Sequence, residues 1–247
     1  TYKMNMVTNT RELLKSETEN YDKQYRYSYT SGIRDLGARI DFDYIPAPSH
    51  LIKFGGEFVN HLYRPEVERS RSLNNLDGKE EISDKVNDAS PNLYGNELSA
   101  YIEDDMTFGE HFSFNPGLHL SLFLVNGRTY FCPEPRAAVK VSFGNGWAVK
   151  TAYSKMSQYV HQLTSGNLSL PTDLWVPITE NIKPVTSDIV SLGTYYSGLK
   201  GWEFSVEGYW KQMNNVLEYK DGKMSFSSAA DWEENVEMGQ GQSYGVE

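Results

Sequence analysis

The sequence has little cysteine, no long apolar run and no excess of positive charge. Cys132 is the single cysteine among 247 residues, so a disulfide within the chain and a zinc site built on several cysteines are excluded. No stretch approaches the roughly 20 apolar residues of a membrane-spanning helix. The formal net charge is −10, which argues against nucleic acid as a partner because phosphates are bound by basic surfaces.

The sequence does contain a repeated alternation of apolar and polar side chains. In the clearest segment, residues 112–124, phenylalanine and leucine occupy most even positions and polar residues or glycine occupy most odd positions. The same alternation runs through residues 38–44, 97–107, 134–143 and 202–211. A period of two is typical of β-strands. We therefore expect an all-β fold, an antiparallel up-and-down meander of consecutive strands.

The connections between these strands differ in length. Four are tight turns, at residues 46–50, 108–111, 144–146 and 199–201. Between them lie the long segments 63–95 and 158–188, the stretch after Met213 and the short Asn126-Gly127 hairpin signal. Successive connections of a meander lie at opposite ends of the sheet, so the four tight turns share one end. This arrangement predicts part of a transmembrane β-barrel with short periplasmic turns and long extracellular loops.

Aromatic residues cluster beside the tight turns. Belts of aromatic side chains mark the two membrane–water interfaces of membrane proteins. The predicted membrane-interface girdle consists of Tyr44, Phe112, Phe143, Trp147 and Trp202. In this interpretation the apolar faces contact lipid, and the polar faces, which carry charges of both signs, line a watery bore. Asp104 is an exception on an apolar face, near a strand end where a charge costs less.

Several segments resemble the barrel of TonB-dependent outer-membrane receptors, particularly those of Bacteroidetes. In residues 96–123, Leu98-Ser-Ala-Tyr-Ile-Glu-Asp-Asp leads into a tight turn and a further strand. In residues 132–163, Pro135-Arg136 opens the next strand, and residues 174–219 and the closing QSYGVE are also similar. The order and spacing of these segments carry the resemblance. It implies that residues 1–247 are a single β-barrel region, the middle of a larger barrel, with the plug domain absent.

The resemblance also implies a function, which is active uptake across the bacterial outer membrane. In the family, extracellular loops and the plug bind a scarce ligand, such as an iron chelate, a vitamin or a glycan, and TonB supplies the energy. The expected partners are the TonB complex, through the absent plug domain, and outer-membrane lipid. A lipoprotein partner, as in the glycan importers of the family, is left open. No enzyme activity, cofactor or metal is implied.

The candidate ligand contacts are aromatic side chains of the 158–188 segment. Tyr159, His161 and Trp175 lie there and could provide platforms on which a ligand stacks. The alternative is that these rings pack the loop against itself.

Two other functions remain open from the residues. A soluble β-sandwich that binds carbohydrate through tyrosine and tryptophan would explain the alternation, but it would not explain tight turns at one end. A small outer-membrane barrel enzyme could use Glu103 and Asp105, which share a strand face, as paired carboxylates. No nucleophile–base pattern accompanies them, so no catalytic residue is predicted.

Overall fold

The computed structural model describes residues 2–15, 20–76, 79–87, 92–163, 174–221 and 229–247, with side chains for residues 32–63, 92–163, 175–221 and 232–247. Thirteen strands and one 3-10 helix, Ala229–Asn235, form in the described part. The strands are β1 Tyr2–Lys15, β2 Asn20–Ala47, β3 His50–Leu76, β4 Lys79–Asn87, β5 Leu93–Phe108, β6 Phe112–Val125, β7 Arg128–Gly144, β8 Trp147–Gln158, β9 Val160–Leu163, β10 Leu174–Pro177, β11 Val185–Tyr196, β12 Phe204–Tyr219 and β13 Val236–Val246.

Eleven of these strands form one antiparallel sheet. Their order is β1-β2-β3-β5-β6-β7-β8-β11-β12-β13, with β4 paired to β3 beyond the end of β5. The remaining two strands, β9 and β10, form a separate hairpin. The predicted all-β antiparallel meander is confirmed. Among the described residues, no helix is long and apolar enough to cross a membrane.

The tight turns lie at one end of the sheet, as predicted. They join β2 to β3, β5 to β6, β7 to β8 and β11 to β12. At the opposite end, Asn126 and Gly127 join β6 to β7 with φ angles of 48° and 76°. Positive φ at both central residues matches the type I′ turn that Asn-Gly favours, because this turn follows the twist of the two strands.

Two segments expected to be loops are partly strands. Within residues 63–95, β3 continues to Leu76 and β4 pairs with it in register from Glu68 to Leu76. After Met213, β12 continues to Tyr219, and the chain returns as β13. Both predictions were wrong, the first because the 63–95 segment has few apolar residues and therefore no period-two signal. A strand ladder is made by backbone groups and can form without such a signal.

The apolar face of the sheet is exposed. Neighbouring strands place Phe42, Phe54, Ile102 and Leu118 in one row across β2, β3, β5 and β6. Ile102 is 54% exposed and Leu118 is 38% exposed. In a β-sandwich a second sheet would bury such residues. No second sheet covers them in the described part of the chain, so the sandwich interpretation is wrong for this face.

Candidate functional site

The opposite face of the sheet, which we call the bore face, carries paired charges. It is formed by odd-numbered residues of β2, β3, β5 and β6 and by even-numbered residues of β7 and β8. Arg39 Nε donates to Asp41 Oδ2 over 2.8 Å, and Tyr101 Oη donates to Asp41 Oδ1 over 2.7 Å. Lys53 Nζ donates to Asp105 Oδ2 over 3.1 Å. The predicted mixture of charges on the polar face is therefore an arrangement of cross-strand pairs.

A cavity of about 330 Å³ opens on the bore face between β2 and β7. We call it the bore cavity. Its lining contains two guanidinium groups, two carboxylates, a phenol and an imidazole, from Arg39, Arg136, Glu57, Glu103, Tyr101 and His119. Gly117 leaves room for the Arg136 side chain, because a Cβ there would lie 2.9 Å from Cγ of Arg136. The cavity therefore offers both hydrogen-bond donors and acceptors to a polar ligand.

Residues 159–163 and 174–185 fold into a structure that we call the lid. In its β9–β10 hairpin, His161 pairs with Val176, and Gln162 pairs with Trp175. Strand β10 contacts β2 and β3, and β9 contacts β12. The hairpin therefore reaches two separated parts of the sheet, at the end that carries the long connections.

The first anchor of the lid is Tyr159. Its ring stacks on Phe123 of β6 with the centroids 4.8 Å apart and the planes at 15°. Phe123 lies against Gly95, where a Cβ would be 2.6 Å from the ring. Nearby, Tyr130 Oη donates to the carbonyl oxygen of Thr179 over 2.6 Å. Stacked rings and a directed hydrogen bond together hold this side of the lid on the sheet.

The second anchor is an apolar cluster on the other side of the lid. Leu163, Val176 and Ile182 supply the lid residues of this cluster. They pack against Leu217 of β12, Val236 of β13 and Trp232 of the 3-10 helix. The lid is consequently fixed at both sides, and its fold depends on contacts between distant parts of the sequence.

The three predicted ligand contacts all lie in the lid, but they differ in exposure. Tyr159 and His161 are each 5% exposed, whereas Trp175 is 38% exposed. Trp175 pairs with Gln162 and so lies on the face of the hairpin opposite to His161. The Tyr159 ring packs on Phe123 of the sheet and not on the loop itself. Ligand contact by these residues stays a prediction.

His161 is buried without a hydrogen-bond partner for its Nε2 among the described residues. Burial lowers the pKa of its imidazole to about 4, because the protein interior disfavours the charged form. At neutral pH the side chain is therefore uncharged.

The residues that hold Tyr159 were not recognised in the sequence. Tyr159 Oη lies 2.5 Å from Ser121 Oγ, and Ser121 Oγ donates to Glu134 Oε1 over 3.0 Å. His119 Nδ1 donates to Glu134 Oε2 over 3.0 Å. These residues come from β6, β7 and the lid, and the sequence shows them only as polar members of alternating strands. Their contacts depend on the strand register.

The aromatic residues of the predicted girdle lie at the end with the tight turns. All five are exposed, from 38% for Phe112 to 66% for Trp202. Rings meet between Trp147 and Tyr196, with centroids 4.6 Å apart, and between Trp202 and Phe204, at 6.0 Å. Their contact with a membrane interface stays a prediction.

Asp104 lies at the same end, on the apolar face. Its Oδ2 is 2.7 Å from Nδ1 of His50, the first residue of β3. The one carboxylate noted as an exception on the apolar face is therefore hydrogen-bonded to a histidine and lies near a strand end.

A comparison with known families and structures adds independent information. The family model described as TonB dependent receptor-like, beta-barrel matches residues 2–247. None of the curated proteins compared with the chain matches it. The copper transporter OprC is similar in structure, with a TM-score of 0.60 at 13% identity over 99% of this chain and 42% of that one. The FrpB iron transporter from Neisseria meningitidis, F3-3 variant, has a TM-score of 0.54 at 12% identity over 90% of this chain and 37% of that one.

At these identities the structural likeness shows the fold alone. The chain spans about two fifths of the length of the solved structures that it matches.

Proposed function

Because this chain belongs to the TonB-dependent receptor β-barrel family, we propose that it is part of an active transporter that takes up a scarce ligand with energy from the TonB complex. Members of the family are bacterial outer-membrane receptors and transporters, and the outer membrane is where this chain is placed. The observation that carries the proposal is the two-sided sheet. Its apolar face is exposed, and its other face carries charges, a cavity and a folded lid.

The proposed ligand is an iron chelate, a vitamin or a glycan. The similar structures include a copper transporter and an iron transporter, which supports a ligand that cells import in small amounts. We infer that the ligand first meets exposed lid residues such as Trp175 and then the bore cavity. Tyr159 and His161 are buried and become available to a ligand when the lid moves. The transporter does no chemistry on its ligand in this proposal.

The proposed partners are the TonB complex and outer-membrane lipid. Residues 1–247 act as one region of a larger barrel, and a plug domain outside this region would receive the pull of TonB. A lipoprotein partner and a Bacteroidetes-type origin stay predictions. Enzyme activity is not expected. The two carboxylates that could have served as a catalytic pair, Glu103 and Asp105, both form ion pairs with Lys53 on the bore face.

The proposal is tested by uptake into living cells. Ferric siderophores, cobalamin and oligosaccharides, each radiolabelled, are offered to cells that express the protein and to cells in which its gene is deleted. We expect one class to accumulate only in the expressing cells. Collapse of the inner-membrane proton gradient, or loss of TonB, should stop accumulation and leave surface binding intact. Accumulation that is unchanged without TonB would refute the proposal.

The role of the lid is tested with the identified ligand. Replacing Trp175 by alanine should weaken surface binding by about fivefold or more, as expected when a central aromatic contact is lost. Trp202→Ala is the matched control, because Trp202 lies at the opposite end of the sheet beside a tight turn. Equal affinities of the two variants would remove Trp175 from the binding surface.

A further inference from the structure

We propose that His119, Glu134 and Ser121 form a latch that couples the bore cavity to the lid. In this proposal, an anionic ligand group that enters the bore cavity draws His119 away from Glu134. The hydrogen bonds that hold Tyr159 then weaken, and the lid opens. The inference rests on the proposed uptake function for its biological meaning, but the latch is a property of the folded protein and can be measured without transport.

The latch is a continuous chain of hydrogen bonds. His119 and Ser121 bind the two different oxygens of the Glu134 carboxylate, each over 3.0 Å. A carboxylate can only accept, so both neighbours donate to it. Ser121 Oγ also lies 3.4 Å from the carbonyl oxygen of Cys132, but the Glu134 carboxylate is nearer and charged, so the hydroxyl proton goes to Glu134 and Ser121 Oγ accepts the proton of Tyr159 over 2.5 Å. The chain has one direction, from the tyrosine of the lid to the carboxylate on the sheet.

Burial makes the latch sensitive to the loss of any member. Ser121 is 1% exposed, Tyr159 is 5% exposed and Glu134 is 9% exposed. A buried carboxylate that loses one of its donors is left with an unsatisfied oxygen, which is costly, so Glu134 must shift towards another donor or water and away from Ser121. Burial also raises the pKa of the Tyr159 phenol, so that Tyr159 keeps the proton it donates. A change at His119 is therefore felt at Tyr159.

His119 is the member that a ligand can reach. It lines the bore cavity, and its side chain is 22% exposed. Arg39 and Arg136 line the same cavity, and Arg136 lies 4.0 Å from its acidic neighbour Glu103, beyond hydrogen-bond distance. Glu57 and Glu103 also line the cavity, and Arg39 already donates to Asp41, so the groups that favour carboxylate or phosphate oxygens are the Arg136 guanidinium and the imidazole. An anionic ligand group in the cavity therefore competes with Glu134 for the His119 proton.

Tyr159 is the output of the latch because its position decides how the lid sits. Its ring covers Phe123, and its backbone carbonyl accepts a hydrogen bond from the amide of Ile178 over 2.9 Å. Through its ring and its backbone, Tyr159 therefore ties together the sheet, the start of the lid and the segment after β10. Without the hydrogen bond to Ser121, the ring stacking and the hydrogen bond from Tyr130 to Thr179 remain on this side.

The latch is tested by hydrogen exchange, followed by mass spectrometry, of lid peptides in the membrane-embedded protein. Tyr159→Phe removes one hydrogen bond of the chain and Ser121→Ala removes two, and we expect lid amides to exchange about threefold to tenfold faster in both variants. Tyr195→Phe is the matched control, because Tyr195 Oη donates to Glu207 over 2.9 Å on β11 and β12, away from the lid. Unchanged exchange of strands β5 to β8 verifies that the variants fold. Lid exchange equal to that of the control would overturn the proposal.

Coupling to the cavity is tested with a double-mutant cycle and with a probe. His119→Ala should speed lid exchange, and it should add little in a protein that already carries Ser121→Ala, because the chain is then broken. Citrate is the anionic probe, and glucose, of similar size, is the neutral one. Citrate should speed lid exchange in the unmodified protein but not in Ser121→Ala, and glucose should act in neither. Full additivity, or no response to citrate, would refute the coupling. Loss of TonB-dependent uptake would leave both results unchanged, so failure of the latch and failure of the uptake function are distinguishable.

Discussion

A lysine should destabilise the membrane-embedded protein at position 192 but not at position 191. Leu192 and Ser191 are neighbours in β11, and their side chains lie on opposite faces of the sheet. Leu192 is 60% exposed on the apolar face. Ser191 lies on the bore face, where its partners are Ala152 of β8 and Tyr209 of β12. The pair therefore compares lipid with water for the same side chain on the same strand.

The size of the effect follows from the depth of Leu192. It lies four residues before Tyr196, whose ring meets Trp147 at the end with the tight turns. With a rise of about 3.3 Å per residue and a strand tilt of about 40°, Leu192 is roughly 10 Å from that end, inside an apolar band about 25 Å tall. A lysine near the bilayer midplane costs about 2–4 kcal/mol. This corresponds to a roughly 30- to 700-fold change in the unfolding equilibrium.

The assay is urea unfolding of the protein from lipid vesicles, followed by tryptophan fluorescence. Leu192→Lys should lower the free energy of unfolding by the amount above. Ser191→Lys should change it by no more than about 0.5 kcal/mol, as is usual for a solvated surface position. Equal destabilisation by the two lysines, or a larger effect at position 191, would refute the assignment of the two faces.

Three further predictions concern the lid and the girdle. Gly95→Ala should loosen the lid by about 1–3 kcal/mol, because the new Cβ would lie 2.6 Å from Phe123. Hydrogen exchange of the lid should detect this, whereas Gly239→Ala, with no atom within 4 Å of the new Cβ, should match the parent protein. The lid should lose stability as the pH falls from about 6.5 to about 4, by up to about 1.4 kcal/mol per pH unit. The reason is that the pKa of His161 is about 4 when it is buried in the folded lid and about 6.5 when the lid is unfolded, so the unfolded form binds a proton more readily. His161→Leu should remove this dependence, and an identical pH profile in that variant would contradict it. Trp202→Ala should slow insertion into vesicles and leave lid exchange unchanged, and an unchanged insertion rate would count against the interfacial girdle.

The sequence was most informative where one face of a strand differs from the other. Leu118 and Leu120 alternate with Gly117 and His119, and the structure places them on opposite faces of β6. The turns could also be located, since Asn-Gly and other glycine-rich turns are local signals in the sequence. The aromatic residues of the girdle were then found as the neighbours of these turns. Alternation alone does not decide whether the apolar face contacts lipid or a protein core, because it also fits a soluble sandwich. The location of the tight turns at one end of the sheet was needed to favour lipid.

The lid and the latch could not be predicted in the same way. Segment 158–188 has prolines and no regular period, and its fold depends on contacts with Phe123, Leu217 and Trp232, which lie far away in the sequence. The strands within residues 63–95 were missed for a related reason. Their pairing is made by backbone hydrogen bonds, which leave no pattern in the choice of side chains.

By itself, the sequence determined the strand periodicity, the turn positions and the separation of apolar from charged side chains, since each depends on residues close together in the chain. Only the tertiary structure decided that Glu134 meets both His119 and Ser121, and that Tyr159 of the lid reaches them. The physical reason is register. A shift of one residue between β6 and β7 would turn every side chain of one strand to the other face, and register is set by the whole set of cross-strand contacts.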